Sequence, residues 1–521
     1  MRNKLFLTAI LLPFLCGCQS PAASSSFSSV SEISSSEASS SEVSSISESS
    51  SSSSESSEPT DGVYDFYCIN DFHGSVVEQM NGSYYESGIA KYFGKLKEYK
   101  AKDPEHTIIL SAGDMFQGSL ESNDNYGRLV IEAMNNVGFD AMTVGNHEFD
   151  YGPDRLLNNI SLMDFPVLGG NIIEYDDGPT GEIWKDAFSP STIIERGGNK
   201  IGIVGMIGYG QTSSITSSYV QDITFESPYL LAQEEATRLR EEENCSLVVY
   251  VIHDDMTSCQ DYAKKAYFDG VFCGHKHSKN NKLYDSVPFV QSYCNGEAIS
   301  HFQITISDGA AVCTDYGVIM ASKNWNEDTE IAAIRDSYIL DPAFVEKASA
   351  VAGTIEGTLA AKEGVSNLVS KAIYEKYSKL YPNLRGAIQN GLRAPLTGEV
   401  TYRDIYKAAP FNNTIVIATV LGSEIVSRSK SNCFYGGENT VFHEDEYYTI
   451  ACISYVLYHQ NNIKSYDYFP SLNYGGEAQI IADFEDYPFD IAFNYIHDDL
   501  EGKVVASDFL STMPGFSASL A

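Results

Sequence analysis

The chain is 521 residues long, enough for two or three domains. It carries 70 acidic against 34 basic side chains, a formal net charge of -36. A surface of that sign repels DNA and RNA polymers, whose binding rests on Lys and Arg at phosphates; a small anionic ligand fits only where cations supply local positive charge.

Residues 1–17 read as a leader. Arg2 and Lys4 precede an apolar run from Leu5 to Leu15, about eleven residues and too short to span a bilayer as a helix. The run ends Leu15-Cys16-Gly17-Cys18, which resembles a bacterial lipobox with Cys18 as the first mature residue and lipid on its sulfur. No other stretch is long and apolar enough to cross a membrane, so that lipid is the expected anchor, on the extracytoplasmic face of the cell membrane. Residues 18–61 are mostly Ser and Glu with no apolar periodicity, the composition of a solvated stalk. Of the ten cysteines, Cys68, Cys273 and Cys452 sit in apolar runs where buried thiols are common, and few or no disulfides are expected.

From Val63 the pattern is α/β. Strands are predicted at Val63–Ile69, Thr107–Ser111, Ala141–Val144, Lys200–Met206, Ser246–Ile252, Gly270–Phe272, Pro288–Gln291 and His301–Ile306. Helices are predicted at Ser87–Lys100, Asn125–Val137 and Leu230–Glu243, with Asn125 and Pro153 at helix starts. This first domain spans 62–324. Residues 325–362 read as a helical connector rich in Ala, Asp and Glu, and 363–521 as a second domain. That domain opens on a helix at Val365–Lys379 and holds strands at Thr414–Val420 and Tyr447–Ile453.

Five segments place Asp, Asn or His where predicted strands end. They are Asn70-Asp71-Phe72-His73-Gly74, Gly113-Asp114-Met115-Phe116-Gln117-Gly118, Gly145-Asn146-His147-Glu148-Phe149-Asp150, Val251-Ile252-His253-Asp254 and Gly274-His275-Lys276-His277. Five of the ten histidines fall in them; His106, His301, His443, His459 and His497 stand alone and read as structural or surface groups. Seven oxygen and nitrogen donors, Asp71, His73, Asp114, Asn146, His253, His275 and His277, suffice for two divalent cations about 3.5–4 Å apart sharing a bridging carboxylate. A mixed N/O set favours Zn, Mn or Fe over a purely oxygen-ligated metal.

With these motifs the chain resembles the metallophosphoesterase superfamily, and within it the 5′-nucleotidase family that includes UDP-sugar hydrolases and 2′,3′-cyclic nucleotide phosphodiesterases. The resemblance implies an αββα sandwich of two mixed sheets followed by a smaller C-terminal α/β substrate domain. It implies one metal held by Asp71, His73, Asp114 and His277, and another by Asp114, Asn146, His253 and His275. His147 would be catalytic and Asp150 would orient it. A hydroxide formed from bound water near neutral pH would attack phosphorus in line, with the His147 imidazolium stabilising developing charge.

The C-terminal segments Gln389-Asn390-Gly391-Leu392-Arg393-Ala394 and Pro410-Phe411-Asn412-Asn413-Thr414 resemble the substrate side of that family. Arg393 would bind an anionic or ribose group and Phe411 would stack on a base, with Asn390 and Asn413 as polar neighbours. Three departures stand out. The glycine run before Arg393 is short, no arginine lies at or just before Glu363–Ala372, and Gln479 follows Asn473-Tyr474-Gly475-Gly476-Glu477-Ala478 where a second stacking aromatic is expected. The resemblance thus implies a surface phosphohydrolase acting on small nucleotide-like phosphoesters. Its alternatives are a cyclic-nucleotide phosphodiesterase, a nucleotide-sugar hydrolase, or a binding lipoprotein without catalysis. Nothing in the sequence sets an oligomeric state.

Overall fold

The computed structural model describes residues 59–175, 183–184, 186–458 and 468–521. The leader, Cys18, most of the stalk and His459 lie outside the described residues. No helix among the described residues is long and apolar enough to cross a membrane.

Two six-stranded mixed sheets build the N-terminal half. In the first the strand order is Ala310–Met320, Ala298–Ser307, Gly62–Ile69, Thr107–Ser111, Ala141–Thr143, Val167–Leu168. In the second it is Asn280–Tyr284, Val287–Gln291, Gly270–Cys273, Leu247–His253, Asn199–Ile207, Ser191–Arg196. The central pairs of both sheets are parallel. Parallel strands covered on both faces read as continuous apolar runs, and Thr107–Ser111 and Leu247–His253 are buried throughout. Phe66, Leu110, Ile203, Val249, Phe272 and Phe302 fill the space between the sheets. Helices Gly88–Lys102 and Arg128–Val137 cover the outer face of the first sheet through Ile89, Phe93, Leu129 and Met134. Helix Pro228–Glu241 covers the second through Ala232, Ala236 and Leu239. The αββα expectation is met, and all the central parallel strands deliver their C-terminal ends to one rim, where sites form in such sheets.

Two expectations need correction. The helix predicted from Asn125 starts at Arg128, after Gly127 takes a left-handed turn at φ +83°; Asn125 instead uses its Oδ1 to accept from the Leu129 amide. The 325–362 connector is helical only in part. Helices Thr329–Ile339 and Pro342–Ser349 are followed by a strand, Val351–Leu359, which pairs with Leu396–Thr401 and Lys503–Val505.

The C-terminal half adds a five-stranded sheet in the order Cys433–Tyr435, Leu384–Gln389, Tyr447–Ile453, Ile415–Leu421, Gln479–Phe484, with helix Ser366–Ser378 packed on it. It meets the N-terminal half through specific polar contacts. Gln117 Nε2 donates to the Pro410 carbonyl at 2.8 Å, the Asn123 amide meets the Tyr406 hydroxyl, and Arg403 pairs with Glu121 at 3.0 Å.

Candidate metal centre and cleft

The strand ends bring the seven donors together as two groups. Asp71, His73 and His277 form one, and Asp114, His253 and His275 the other; within each, one donor atom per residue lies within 4.8 Å of the others. Asn146 joins the second group, its Oδ1 lying 3.1 Å from both His253 Nε2 and His275 Nδ1. In the first, His277 Nε2 is 3.0 Å from His73 Nε2 and 3.3 Å from Asp71 Oδ1.

The backbone is bent to make this possible. Asp71, His73, Asp114, His275 and His277, five of the seven, hold φ between +49° and +75°. Left-handed conformations at non-glycine residues cost of order 1–3 kcal/mol each and persist only where surroundings over-determine them, commonly at functional sites. Two glycines permit the crowding. A Cβ on Gly113 (φ +87°) would lie 2.6 Å from the Gly145 nitrogen and 2.9 Å from His253 Nδ1, and one on Gly274 would lie 2.7 Å from the Ala112 carbonyl.

The donors suit a divalent cation. His253 Nδ1 faces the Ala112 carbonyl at 2.7 Å and His73 Nδ1 faces the Gln117 carbonyl at 2.9 Å. A carbonyl only accepts, so these nitrogens carry the protons and the Nε2 lone pairs face inward, the arrangement typical of ligating histidines. Two inward Nε2 atoms 3.0 Å apart, on His73 and His277, need a proton or a cation between them. Burial opposes charge on His253, but Asp114 and Asp71 outweigh it and raise the ring to about 10. His277 rises to about 10 against burial, through its hydrogen bond to Asp71 and one to Cys294. The carboxylates therefore draw protons onto His253 and His277, whereas burial and the neighbouring cationic rings hold His73 and His275 down at about 4; a divalent cation answers the same carboxylate charge and would displace the protons.

Beside the donors, His147 Nδ1 lies 2.7 Å from Asp150 Oδ2. Burial disfavours its charged form, yet Asp150 and Asp114 raise it to about 9. Burial raises Asp150 in turn, above the ordinary carboxylate value, despite the imidazolium beside it. The geometry favours His147 as the proton holder of the pair, since its ring also faces the charge of Asp114.

A cleft of about 350 Å³ opens between the two halves. Asn146, His147, Asp150 and His275 line one wall; Asn390, Arg393, Phe411 and Asn413 line the other. All four predicted C-terminal residues thus reach the donor rim. The Arg393 guanidinium lies over the Phe411 ring at 4.7 Å, and the His147 ring lies 6.3 Å from the same ring at a shallow 27°. Arg393 remains open to solvent, and the partial desolvation of its guanidinium at the cleft holds it below its ordinary value. The Asn473–Glu477 loop does not line the cleft, and Tyr474 is 86% exposed. Sequence reasoning missed Ser214, Thr216 and Tyr455, which also line it. A Ser/Thr-rich run at 211–218 after a buried strand was the available signal for the first two; Tyr455 follows strand Tyr447–Ile453 and carries no motif. Glu148 was also missed. Burial and the Asp114 charge raise it to about 7, against the pull of backbone N–H donors.

A two-sheet sandwich with clustered Asp, Asn and His donors on its parallel rim defines a metallophosphoesterase, and residues 64–279 match the calcineurin-like phosphoesterase family. Residues 349–427 match the 5′-nucleotidase C-terminal domain, so the chain belongs to the 5′-nucleotidase family of phosphoester hydrolases. It is 25% identical over 430 residues to the trifunctional nucleotide phosphoesterase protein of Bacillus subtilis, an alignment covering 73% of this chain and 28% of that one. With the 5′-nucleotidase of Diplobatis ommata it shares 24% identity over 71% of each chain. The solved 5′-nucleotidase precursor of Thermus thermophilus has the same fold, with a TM-score of 0.68 at 18% identity over 85% of this chain and 99% of that one.

Proposed function

We propose that the protein releases phosphate from nucleotides, with the phosphoryl group at the donor rim and the nucleoside portion in the cleft. The observation that carries this reading is the shared cleft, whose walls join His147 and Asn146 to Arg393 and Phe411. Two divalent cations, held by Asp71, His73, Asp114 and His277 and by Asp114, Asn146, His253 and His275, would supply Lewis acidity and acidify a water. The mixed donors favour Zn or Mn.

The chain's own groups do the rest. His147, protonated and fixed through Nδ1 by Asp150, presents its other N–H to the cleft and stabilises charge on the phosphoryl or departing oxygen. Arg393 binds an anionic or ribose oxygen, and Phe411 offers its ring edge and free surface to the base. Asn390 and Asn413 supply hydrogen bonds at the same wall. Cys18 would carry a lipid, and the enzyme would work at the extracytoplasmic face of the membrane.

A second reading keeps the chemistry and changes the substrate to cyclic nucleotides or nucleotide sugars. The trifunctional description of the Bacillus subtilis relative supports it, as does the exposed position of Tyr474 away from the cleft. A phosphate-release panel over nucleoside monophosphates, cyclic nucleotides and nucleotide sugars, with Mn or Zn, tests both. Release from nucleoside monophosphates that stops with chelator is expected, and no release from any of the three classes refutes the proposal. Detergent-phase partitioning of the full chain, lost in Cys18→Ala, tests the anchor; equal partitioning of the two refutes it.

A further inference from the structure

Glu148 sits in the same short turn, His147–Tyr151, as His147 and Asp150, yet it does not line the cleft. It is 1% exposed. Its Oε2 accepts from the Asp114 amide at 2.8 Å and from the Gly145 amide at 2.7 Å, and its Oε1 accepts from the Met115 amide at 2.7 Å. Three backbone donors occupy most of the roughly four lone-pair sites of a carboxylate, which argues against a ligand role. These bonds hold two loops at once, the one bearing Asp114 and the one bearing Asn146. Asp114 is among the left-handed residues, at φ +57°, a conformation its surroundings must enforce. The grip is reciprocal, because Asp114 Oδ1 accepts from the His147 amide at 2.8 Å.

We propose that Glu148 is a positioning residue for the metal centre, a backbone clamp that sets the Asp114 carboxylate between the two donor groups. It acts through Asp114 and Asn146 and touches no substrate. The inference rests on the proposal that Asp114 bridges two cations, and its test is chosen to fail separately from that of the phosphohydrolase reading. Glu148→Gln turns one end of the clamp into an N–H donor that must face a backbone N–H. Calorimetric titration of Mn²⁺ and of Zn²⁺ into chelator-stripped full-length protein reads the effect without substrate. A 10–100-fold loss of Mn²⁺ affinity is expected, the range for groups that orient metal ligands. At sub-saturating Mn²⁺ kcat should fall in parallel and recover at high Mn²⁺, while KM stays within about twofold, because the cleft wall is untouched.

A merely structural acid would lower the melting temperature and leave the affinity of the folded protein alone; that pattern overturns the proposal, as does wild-type affinity with wild-type stability. Should Glu148→Gln fail to fold, Glu148→Asp keeps the charge on a shorter arm and is titrated the same way. Weakened Mn²⁺ binding supports the clamp, and wild-type binding refutes it. A wild-type protein that binds two Mn²⁺ but hydrolyses no phosphoester would sink the functional proposal and leave the clamp standing.

Discussion

Gly145→Ala tests whether the spacing of the two donor loops matters as the structure says. A Cβ at this position would lie 2.6 Å from the Asp114 nitrogen and 2.9 Å from its Cγ, and closer still to Oδ1. Ordinary contact of such an atom begins near 3.4 Å. The Asp114 carboxyl carbon must therefore retreat by roughly 0.5 Å and its oxygen by more, against a tolerance of about 0.2 Å for metal–ligand distances. Neither neighbour can yield freely. The nitrogen is backbone held by Glu148, and Oδ1 is bonded to the His147 amide. Misplacement on this scale should cost about 100-fold in turnover. Overpacking costs about 1–3 kcal/mol of stability, offset in part by the about 0.4–1 kcal/mol that Gly→Ala gains by restricting the unfolded chain. Metal content per chain, phosphate release and thermal melting read the three effects. Gly210→Ala is the control, since a Cβ there meets nothing within 4 Å. If Gly145→Ala keeps wild-type Mn²⁺ affinity and turnover, Asp114 is not a ligand held by close packing, and the bridging role falls with it.

Two further substitutions separate the walls of the cleft. His147→Asn should lower kcat by about 10²–10³, the range for losing one stabilising donor, with both metals retained; loss of metal from this variant would make His147 a ligand instead. Arg393→Ala removes the guanidinium from the Phe411 face and should mainly raise KM for nucleotides, with kcat little changed. An unchanged KM would take Arg393 out of the substrate site.

What the sequence made legible follows from what each residue must do alone. Asp71, Asp114, Asn146, His253 and His275 stand at the ends of strands buried on both faces, and such strands announce themselves as apolar runs. Which side chains cluster at the rim was therefore legible in the sequence, whereas their backbone was not: nothing in the letters shows that Asp71, His73, Asp114, His275 and His277 hold left-handed φ.

The strand Val351–Leu359 shows a different limit. Its buried residues are Ala352, Ile355 and Leu359, spaced three and then four apart, which is the period of a helix. The structure produces that spacing in a strand by shifting register twice, between Val351 and Gly353 and between Ile355 and Thr358. Periodicity could not tell the two apart, because the bulges are set by the pairing partner, Leu396–Thr401, far along the chain. The same holds for Tyr455 and Thr216. Each becomes part of the site only when the two halves close on one cleft, so its role is a property of packing between distant segments. Glu148 lies between these cases. Its letter sits inside the clearest motif of the chain, but its work is done on backbone amides, and an amide has no letter. A motif therefore reports the groups that touch the chemistry more faithfully than those that hold them in place, and the clamp is where a substitution can empty the centre without changing any ligand.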